Sequence, residues 1–252
     1  MIHPSAIVSS KAKIHPDAYI GPWCIVEEGT IIEKNVRLES RIHVFKGTGI
    51  GENTKVYDGS VLGAPPQDLK YKGEETFLSI GKNCIIREYV TLNRGTTASF
   101  YTKIEDDVLL MAYVHVAHDC FIEKGAVISN ACQLGGHVQV GKYATVGGTA
   151  GVQQKNKIGA YAFVGASLKV DKDVPPFVKA LGNPLQFAGI NLHALRRFPE
   201  IFLPENISEI EKFYHEIYRG KKSLTEIKEM AKKNPESELQ NFFKDYEGHL
   251  IR

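Results

Sequence analysis

The sequence predicts a mainly β chain, a left-handed parallel β-helix of hexapeptide repeats followed by a C-terminal α-helical domain. Aliphatic residues recur every six positions in one phase between residues 2 and 170, and apolar residues at helical spacing follow from residue 207. Neither an α-helix nor an ordinary strand has a period of six, whereas a coil with three short flat faces does. We assign residues 1–182 to the β-helix and 183–252 to the helical domain.

The hexad series is the set of aliphatic residues found at these six-residue steps. It comprises Ile2, Val8, Ile14, Ile20, Val26, Ile32, Leu38, Val44, Ile50, Val56, Leu62, Ile80, Ile86, Leu92, Ile104, Leu110, Val116, Ile122, Ile128, Leu134, Val140, Val146, Val152, Ile158, Val164 and Val170. Small or β-branched residues follow four positions later, and all four cysteines fall in this second column. We therefore expect the cysteines to fill space as small hydrophobic residues and to form no disulfide.

Two polar segments rich in turn-forming residues interrupt the hexad series. They lie near residues 63–79 and 93–103, and we expect both to be loops extruded from the coil. Loops held by a rigid scaffold often carry binding groups. These two segments are therefore candidates for substrate contacts.

The tail beyond the coil predicts three helices. Apolar stripes begin at Ile207, Leu224 and Leu239. Gly220 is the expected end of the first helix, and the pair formed by Ser223 and Glu226, three positions apart, predicts a capping box for the second.

The composition excludes several classes of function. The chain has 252 residues and a net charge of +2, which gives no argument for a nucleic-acid partner. No apolar run approaches the roughly 18 residues of a membrane helix, so we expect no stable membrane insertion. The opening residues lack the apolar core of a secretory signal. We expect a cytoplasmic protein with reduced thiols.

Three faces of six residues give a coil of 18 residues. Residues that are 18 positions apart in the sequence should therefore lie side by side in adjacent coils. His118, Gly136 and Gln154 should form one column, with Asp119 and His137 one step along. Parallel strands in adjacent coils lie ~4.8 Å apart. None of these residues occupies an inward hexad position, so we expect the two histidines to face outward.

Three interpretations of this polar cluster remain open. It could be an ordinary exposed face of the coil. It could bind zinc, since three imidazoles would leave one catalytic position open. Hexapeptide-repeat carbonic anhydrases place their third histidine ligand about two coils earlier, where residues 79–84 hold no histidine, so no metal is our favoured prediction.

The third interpretation is general-base catalysis. A histidine can take a proton from an attacking hydroxyl, and an adjacent carboxylate can hold its tautomer. The amide N–H of Gly136 could donate to a developing oxyanion without side-chain crowding. These groups suit acyl transfer from a thioester to an alcohol. Because no nucleophile pair with histidine is evident, direct transfer is favoured over an acyl-enzyme.

Five segments resemble the acyl-(acyl-carrier-protein)–UDP-N-acetylglucosamine O-acyltransferases, which catalyse the first step of lipid A biosynthesis. They are HVAHDC at 115–120, PQDLKYKGE at 66–74, LGGHV at 134–138, DVPPFV at 173–178 and EGHLIR at 247–252. The resemblance covers essentially the whole chain, and the combination of the first two segments is specific.

The resemblance implies a homotrimer with an active site in each cleft between subunits, an acyl carrier protein as donor, a UDP-sugar as acceptor, and no cofactor. It gives His118 the role of general base, Asp119 that of its support, and Gly136 that of oxyanion donor. The implied substrate contacts are His115 and His137 to the sugar, Gln67, Asp68 and Lys70 on the first loop, Gln154 on the acyl side, and Asn191 and Arg197 to the nucleotide. Basic residues such as Arg196, Arg197 and Arg219 could dock the acidic carrier protein. Alternatively, they could form a solvated helical face, an interpretation that applies equally to Arg219.

Other functions remain open at this point. They are N-acyl transfer to an amino-sugar nucleotide, a zinc-dependent hydratase, and a trimeric scaffold without catalysis. The sequence also departs from the family pattern at Asn93, Gln153, Ala166 and His193, and the segment RRFPEIF lacks the usual glycine. These departures concern acyl length and sugar recognition, and none falls on the base or the oxyanion donor.

Ala166 stands where glycine often marks the far end of the acyl groove, so we predict that its methyl group shortens or reshapes that groove. Ala166→Gly should shift the preference of the enzyme toward longer acyl chains, measured by comparing turnover across donors of increasing length. An unchanged chain-length preference would contradict this role.

Overall fold

The computed structural model describes residues 1–220 and 222–251, so Arg252 at the end of the EGHLIR segment lies outside the described residues. The strands of the coil are β1 Ile7–Val8, β2 Lys13–Ile14, β3 Tyr19–Ile20, β4 Ile25–Val26, β5 Ile31–Ile32, β6 Arg37–Leu38, β7 His43–Val44, β8 Thr48–Ile50, β9 Lys55–Val56, β10 Val61–Ala64, β11 Phe77–Ile80, β12 Ile85–Ile86, β13 Thr91–Asn93, β14 Tyr101–Ile104, β15 Leu109–Leu110, β16 His115–Val116, β17 Phe121–Ile122, β18 Val127–Ile128, β19 Gln133–Leu134, β20 Gln139–Val140, β21 Thr145–Val146, β22 Gly151–Val152, β23 Lys157–Ile158, β24 Phe163–Val164 and β25 Lys169–Val170. Two more strands, β26 Val178–Leu181 and β27 Gln186–Ile190, close the coil.

Successive strands fall in turn on three faces, which confirms the predicted β-helix. Within the described residues, the faces are parallel sheets of nine, eight and ten strands, and only the last pair, β26 with β27, is antiparallel. Val116 pairs with Leu134, 18 positions later, as a coil of three hexads requires. The fold of this part of the chain is therefore set by the period of six.

The two interruptions of the hexad series change the length of a coil by whole hexads. Leu62 pairs with Leu92, 30 positions later, or one coil of 18 plus 12. Leu92 pairs with Val116, 24 positions later, or one coil plus 6. Because both insertions are multiples of six, the hexad series keeps its phase through both loops.

The core of the coil is the hexad series itself. Every member from Ile20 to Val170 is buried, whereas Ile2, at the open end, is 48% exposed. The cysteines of the second column are also buried and free, in agreement with the prediction. The apolar interior leaves only outward-facing and corner residues available to a ligand.

The first extruded loop is fastened to the coil by a buried arginine. Arg94 donates from Nε and Nη2 to the hydroxyl of Tyr71, at 3.2 and 3.0 Å, and from Nη1 to the carbonyl of Gly63 at 3.1 Å. The two loops, residues 65–76 and 94–100, are thus linked to each other and to one end of the same sheet.

The tail contains four helices within the described residues: α1 Leu192–Arg196, α2 Pro204–Arg219, α3 Leu224–Lys233 and α4 Ser237–Phe243. Gly220 ends α2, and Ser223 and Glu226 form the capping box of α3, as predicted. The helices begin at residue 192, since β27 still extends one sheet of the coil. None of the described helices is both long and apolar enough to cross a membrane.

The end of the chain is fastened back onto the last coil through Asp173. Its carboxylate accepts hydrogen bonds from the Tyr246 hydroxyl at 2.8 Å and from the Lys157 amide at 2.6 Å. Its backbone bridges the tail, since the Asp173 amide donates to His249 and the Ile251 amide donates to Asp173. These contacts fix the helical domain against the coil.

Candidate active site

The predicted polar cluster forms at one corner of the coil. The His137 amide donates to the His118 carbonyl at 2.9 Å, and the Lys155 amide donates to the Gly136 carbonyl at the same distance. Asp119, His137 and Lys155 occupy equivalent corner positions with φ values of 59°, 63° and 68°. Successive coils therefore present His118, Gly136 and the next residue of this column, Gln154, along a single edge.

Only glycine fits at position 136, beneath the His118 ring. A Cβ atom at position 136 would lie 2.6 Å from Cε1 and 2.7 Å from Nε2 of His118, distances that real Cβ contacts do not reach. The imidazole therefore lies directly over the backbone of Gly136. The Gly136 amide N–H donates to no group among the described residues, so it is available to a ligand beside the ring.

His118 is oriented by Asp119. The Nδ1 atom of His118 lies 2.7 Å from Oδ2 of Asp119. An ionised carboxylate can only accept, so Nδ1 carries the proton and Nε2 keeps a free lone pair. The arrangement prepares Nε2 to take a proton from a ligand.

Asp119 is ionised although its side chain is fully buried. Burial raises the pKa of this carboxyl, but hydrogen bonds from Ser99, Thr96 and His118 outweigh burial and lower the pKa to about 2. The Thr96 amide donates at 2.9 Å and the Thr96 hydroxyl at 2.7 Å, and the Ser99 hydroxyl also donates. The second loop thus supplies three of the four donors to Asp119.

A groove of about 580 Å³ runs along the outer surface beside His118. Its lining includes five of the residues predicted to act on substrate, Gln67, His115, His118, Gly136 and Gln154, together with Gln133, Gly151, Gln153 and Lys169. One chain therefore brings His118, Gly136 and the start of the first loop to one surface.

The two other histidines of the cluster differ in environment. His115 is held by the Thr91 hydroxyl, 2.7 Å from its Nδ1, and burial lowers its pKa, so it is neutral near pH 7. His137 is half-exposed, and its ring meets that of His118 edge-on with centroids 5.1 Å apart. A neutral imidazole such as that of His115 can exchange hydrogen bonds with sugar hydroxyls.

A metal ion is the other ligand that this cluster could hold. The donor atoms of His118, Asp119 and His137 lie within 4.8 Å of one another. Each oxygen of Asp119 already accepts two hydrogen bonds, however, from Thr96 and Ser99 on Oδ1 and from Thr96 and His118 on Oδ2. A metal would have to displace these donors, so the donor set fits a base held by a carboxylate better than a metal centre.

Some predicted contacts lie elsewhere on the same chain. Ala166 is exposed in the corner where the strands of the sheet that carries His115 begin, whereas the polar cluster lies in the corner where those strands end. Ala166 does not line the groove. Asn191 caps α1, and its amide group donates to the Tyr161 carbonyl at 2.8 Å. Arg197 is exposed, with its guanidinium 5.8 Å from the ring centre of Phe198. A single chain therefore does not assemble the whole predicted site.

The tip of the first loop is shaped by its own residues. The Lys70 amide donates to the Asp68 carboxylate at 2.9 Å, and the Tyr71 amide donates to the Asp68 carbonyl at 3.0 Å. Leu69 between them is fully exposed. This turn exposes the Lys70 side chain and an apolar side chain to solvent.

Sequence reasoning missed several residues of the site. Gln133 and Lys169 could have been found by adding 18 to His115 and to Gly151. Thr96 and Ser99 lie in the irregular loop, where the period gives no positions, and their only signal was the hydroxyl-rich composition of RGTTASF. Of the departures, Asn93 is buried and its amide nitrogen donates to the Pro65 carbonyl at 3.0 Å, so it supports the first loop.

Comparison with known proteins identifies relatives along the full length. A family model described as UDP N-acetylglucosamine O-acyltransferase, domain 2, matches residues 173–248. The acyl-(acyl-carrier-protein)–UDP-N-acetylglucosamine O-acyltransferase of Xylella fastidiosa is 37% identical over 262 residues, covering 100% of this chain and 98% of the relative. The enzyme of that name from Thermodesulfovibrio yellowstonii is 41% identical over 233 residues, covering 92% and 90%. LpxA of Bacteroides fragilis, a UDP-N-acetylglucosamine acyltransferase, superposes with a TM-score of 0.94 at 32% identity, covering 100% of both chains.

The β-helix and its corner of histidine, aspartate and glycine thus define an acyltransferase of the hexapeptide-repeat class. The chain belongs to the acyl-(acyl-carrier-protein)–UDP-N-acetylglucosamine O-acyltransferase family, which confirms the resemblance inferred from its motifs.

We predict that Gly136→Ala displaces the His118 ring, because the new methyl group would overlap it. Acyltransferase activity should fall about 100-fold, the scale of loss for a reacting group misplaced by an ångström. The matched control is Gly49→Ala, where a Cβ meets nothing within 4 Å. Equal activity of the two variants would contradict the close approach of His118 to Gly136.

Proposed function

We propose that this enzyme transfers a 3-hydroxyacyl group from an acyl carrier protein thioester to the 3-hydroxyl of UDP-N-acetylglucosamine, the first step of lipid A biosynthesis. The observation that carries the proposal is the position of His118, whose Nε2 lies over the backbone of Gly136 beside a groove. The names of the full-length relatives specify the donor, the acceptor and oxygen as the acylated atom. They favour the hydroxyl acceptor over the amino acceptor.

The proposed mechanism is direct transfer. Nε2 of His118 accepts the proton of the sugar hydroxyl as its oxygen attacks the thioester carbonyl. The negative charge that develops on the carbonyl oxygen accepts a hydrogen bond from the Gly136 amide. When the tetrahedral intermediate breaks its carbon–sulfur bond, the leaving thiolate takes the proton back from His118. Asp119 remains ionised throughout and stabilises the imidazolium.

The remaining groove residues are proposed to bind and orient the substrates. His115 and His137 would contact the sugar, and Gln154 the acyl side. Lys70, presented at the tip of the first loop, would pair with a phosphate of the nucleotide, with Gln67 and Asp68 beside it. Arg196, Arg197 and Arg219 are exposed near the ends of α1 and α2, where they could attract an acidic carrier protein.

The proposed enzyme is a cytoplasmic homotrimer with its sites between subunits. The proposal of a shared site is supported by predicted site residues that lie away from the groove of their own chain. Ala166 and Arg197 are exposed but do not line the groove of their own chain, so they would reach a substrate in such a groove from a neighbouring subunit. A cyclic trimer repeats one heterologous interface and would complete three equivalent sites. The free, buried cysteines suit a reducing compartment.

The intersubunit site can be tested by mixing inactive variants. His118→Ala and Arg197→Ala should each lose activity, whereas trimers refolded from a 1:1 mixture should regain about one quarter of the wild-type activity, because that share of clefts combines an intact residue from each side. Mass measurement by light scattering should report three chains per particle. A mixture no more active than the average of its parents would contradict a shared site.

The function of His118 is tested by His118→Ala. Removal of a general base should lower kcat by about 100- to 10,000-fold while leaving the oligomer and its thermal unfolding unchanged. The matched control is His215→Ala, since His215 is exposed on α2 and lines none of the groove. Product should be measured by mass spectrometry from acyl carrier protein thioester with UDP-N-acetylglucosamine or its 3-amino analogue. Near-normal turnover by His118→Ala would overturn the proposed function.

A further inference from the structure

The second extruded loop contacts Asp119 of the catalytic pair, and Arg94 at its start also holds the first loop. Residues 94–100 leave the coil after β13 and return to it at β14. The Phe100 amide donates to the Thr96 carbonyl at 2.8 Å, which closes the loop into a tight turn. This turn places the hydroxyls of Thr96 and Ser99 against the buried carboxylate of Asp119.

The hydroxyl of Thr96 is committed to Asp119 by its own hydrogen bonds. Its Oγ1 accepts from the Ala98 amide at 3.2 Å, so its single proton is free to donate to Oδ2 of Asp119 at 2.7 Å. The Thr96 amide donates to the other carboxylate oxygen at 2.9 Å. Thr96 therefore donates a hydrogen bond to each carboxylate oxygen of Asp119.

Ser99 provides a further hydrogen bond to the Asp119 carboxylate. Its Oγ lies within hydrogen-bonding distance of both the Tyr101 carbonyl and Oδ1 of Asp119. A hydroxyl has only one proton, and an ionised carboxylate is a stronger acceptor than a neutral carbonyl. The proton of Ser99 thus goes to Asp119.

The Asp119 carboxylate lies near two histidine rings. Its Oδ2 lies 2.7 Å from Nδ1 of His118 and 3.8 Å from Nε2 of His137. A small rotation of the carboxylate would exchange one partner for the other. The bonds from the loop oppose that rotation, because it would break contacts to both oxygens at once.

We propose that Thr96 and Ser99 are positioning residues that hold the Asp119 carboxylate on His118 and away from His137, and so fix the tautomer in which Nε2 of His118 can accept a proton. This role rests on the proposed function of His118 as general base. The two residues do not line the groove and would act through Asp119. Their loss should therefore lower kcat more than it raises KM.

The test compares Thr96→Val with Ser99→Ala, singly and together. The control is Thr97→Val on the same loop, because Thr97 is exposed and donates no hydrogen bond to Asp119. In the double variant kcat should fall about tenfold with KM changed by less than twofold. Nitrogen NMR of the imidazoles should show His118 as the Nδ1–H tautomer in the wild type and as a mixture of tautomers in the double variant. Thr96→Ser, made in place of Thr96→Val, should restore both kcat and the Nδ1–H tautomer of His118.

The variants should also be made in an Asp119→Asn background. If Thr96 and Ser99 act through the carboxylate, their substitution there should lower kcat by less than twofold, since coupled residues are not additive. An unchanged His118 tautomer in Thr96→Val/Ser99→Ala, or a tenfold loss that persists beside Asp119→Asn, would overturn the inference while leaving the base assignment intact. Activity in His118→Ala would instead overturn the proposed function. If the double variant does not fold, Ser99→Ala alone carries the same measurements.

Discussion

The stacking of one coil on the next at a fixed register is the constraint on which the rest of the structure depends. Hydrogen bonds between coils, such as that from the His137 amide to the His118 carbonyl, hold neighbouring turns together. The buried hexad residues prevent slippage, because a shift by one residue would turn aliphatic side chains outward. With the register fixed, an imidazole, a glycine amide and a glutamine from three successive coils meet at one corner. Insertions of 12 and 6 residues leave that register unchanged, so loops could be added without moving the site.

The chemistry of the site follows from what surrounds one carboxylate. A buried, unpaired aspartate would be protonated more readily, since burial disfavours charge. Four hydrogen bonds reverse this effect and hold the pKa of Asp119 at about 2. The ionised carboxylate then fixes His118, and the absence of a side chain at Gly136 lets the imidazole lie against the backbone amide. The rigid coil and the irregular loop therefore make separate contributions, since the coil positions the proposed base and oxyanion donor and the loop supplies most of the hydrogen bonds that keep Asp119 ionised.

The sequence could predict whatever repeats. The period of six predicted the β-helix, the buried cysteines and the column of His118, Gly136 and Gln154, and the caps and apolar stripes at helical spacing predicted helices in the tail. It could not predict what the loops do, because a loop has no period and its hydroxyls find Asp119 only through the folded turn. It also could not separate structural from functional roles at Asn191, which caps α1 and binds the Tyr161 carbonyl. Residues that a neighbouring subunit would supply lie beyond any prediction from the geometry of one coil.

The fixed register of the coils is proposed to place Nε2 of His118 and the Gly136 amide on either side of the reacting atoms. The most direct measurement is a crystal structure of the enzyme with UDP-N-acetylglucosamine bound. We expect the sugar 3-hydroxyl within about 3 Å of Nε2 of His118, with the Gly136 N–H directed at the space beside that hydroxyl. A sugar bound with its 3-hydroxyl away from His118, or with another side chain within reach of that proton, would rule out His118 as the general base.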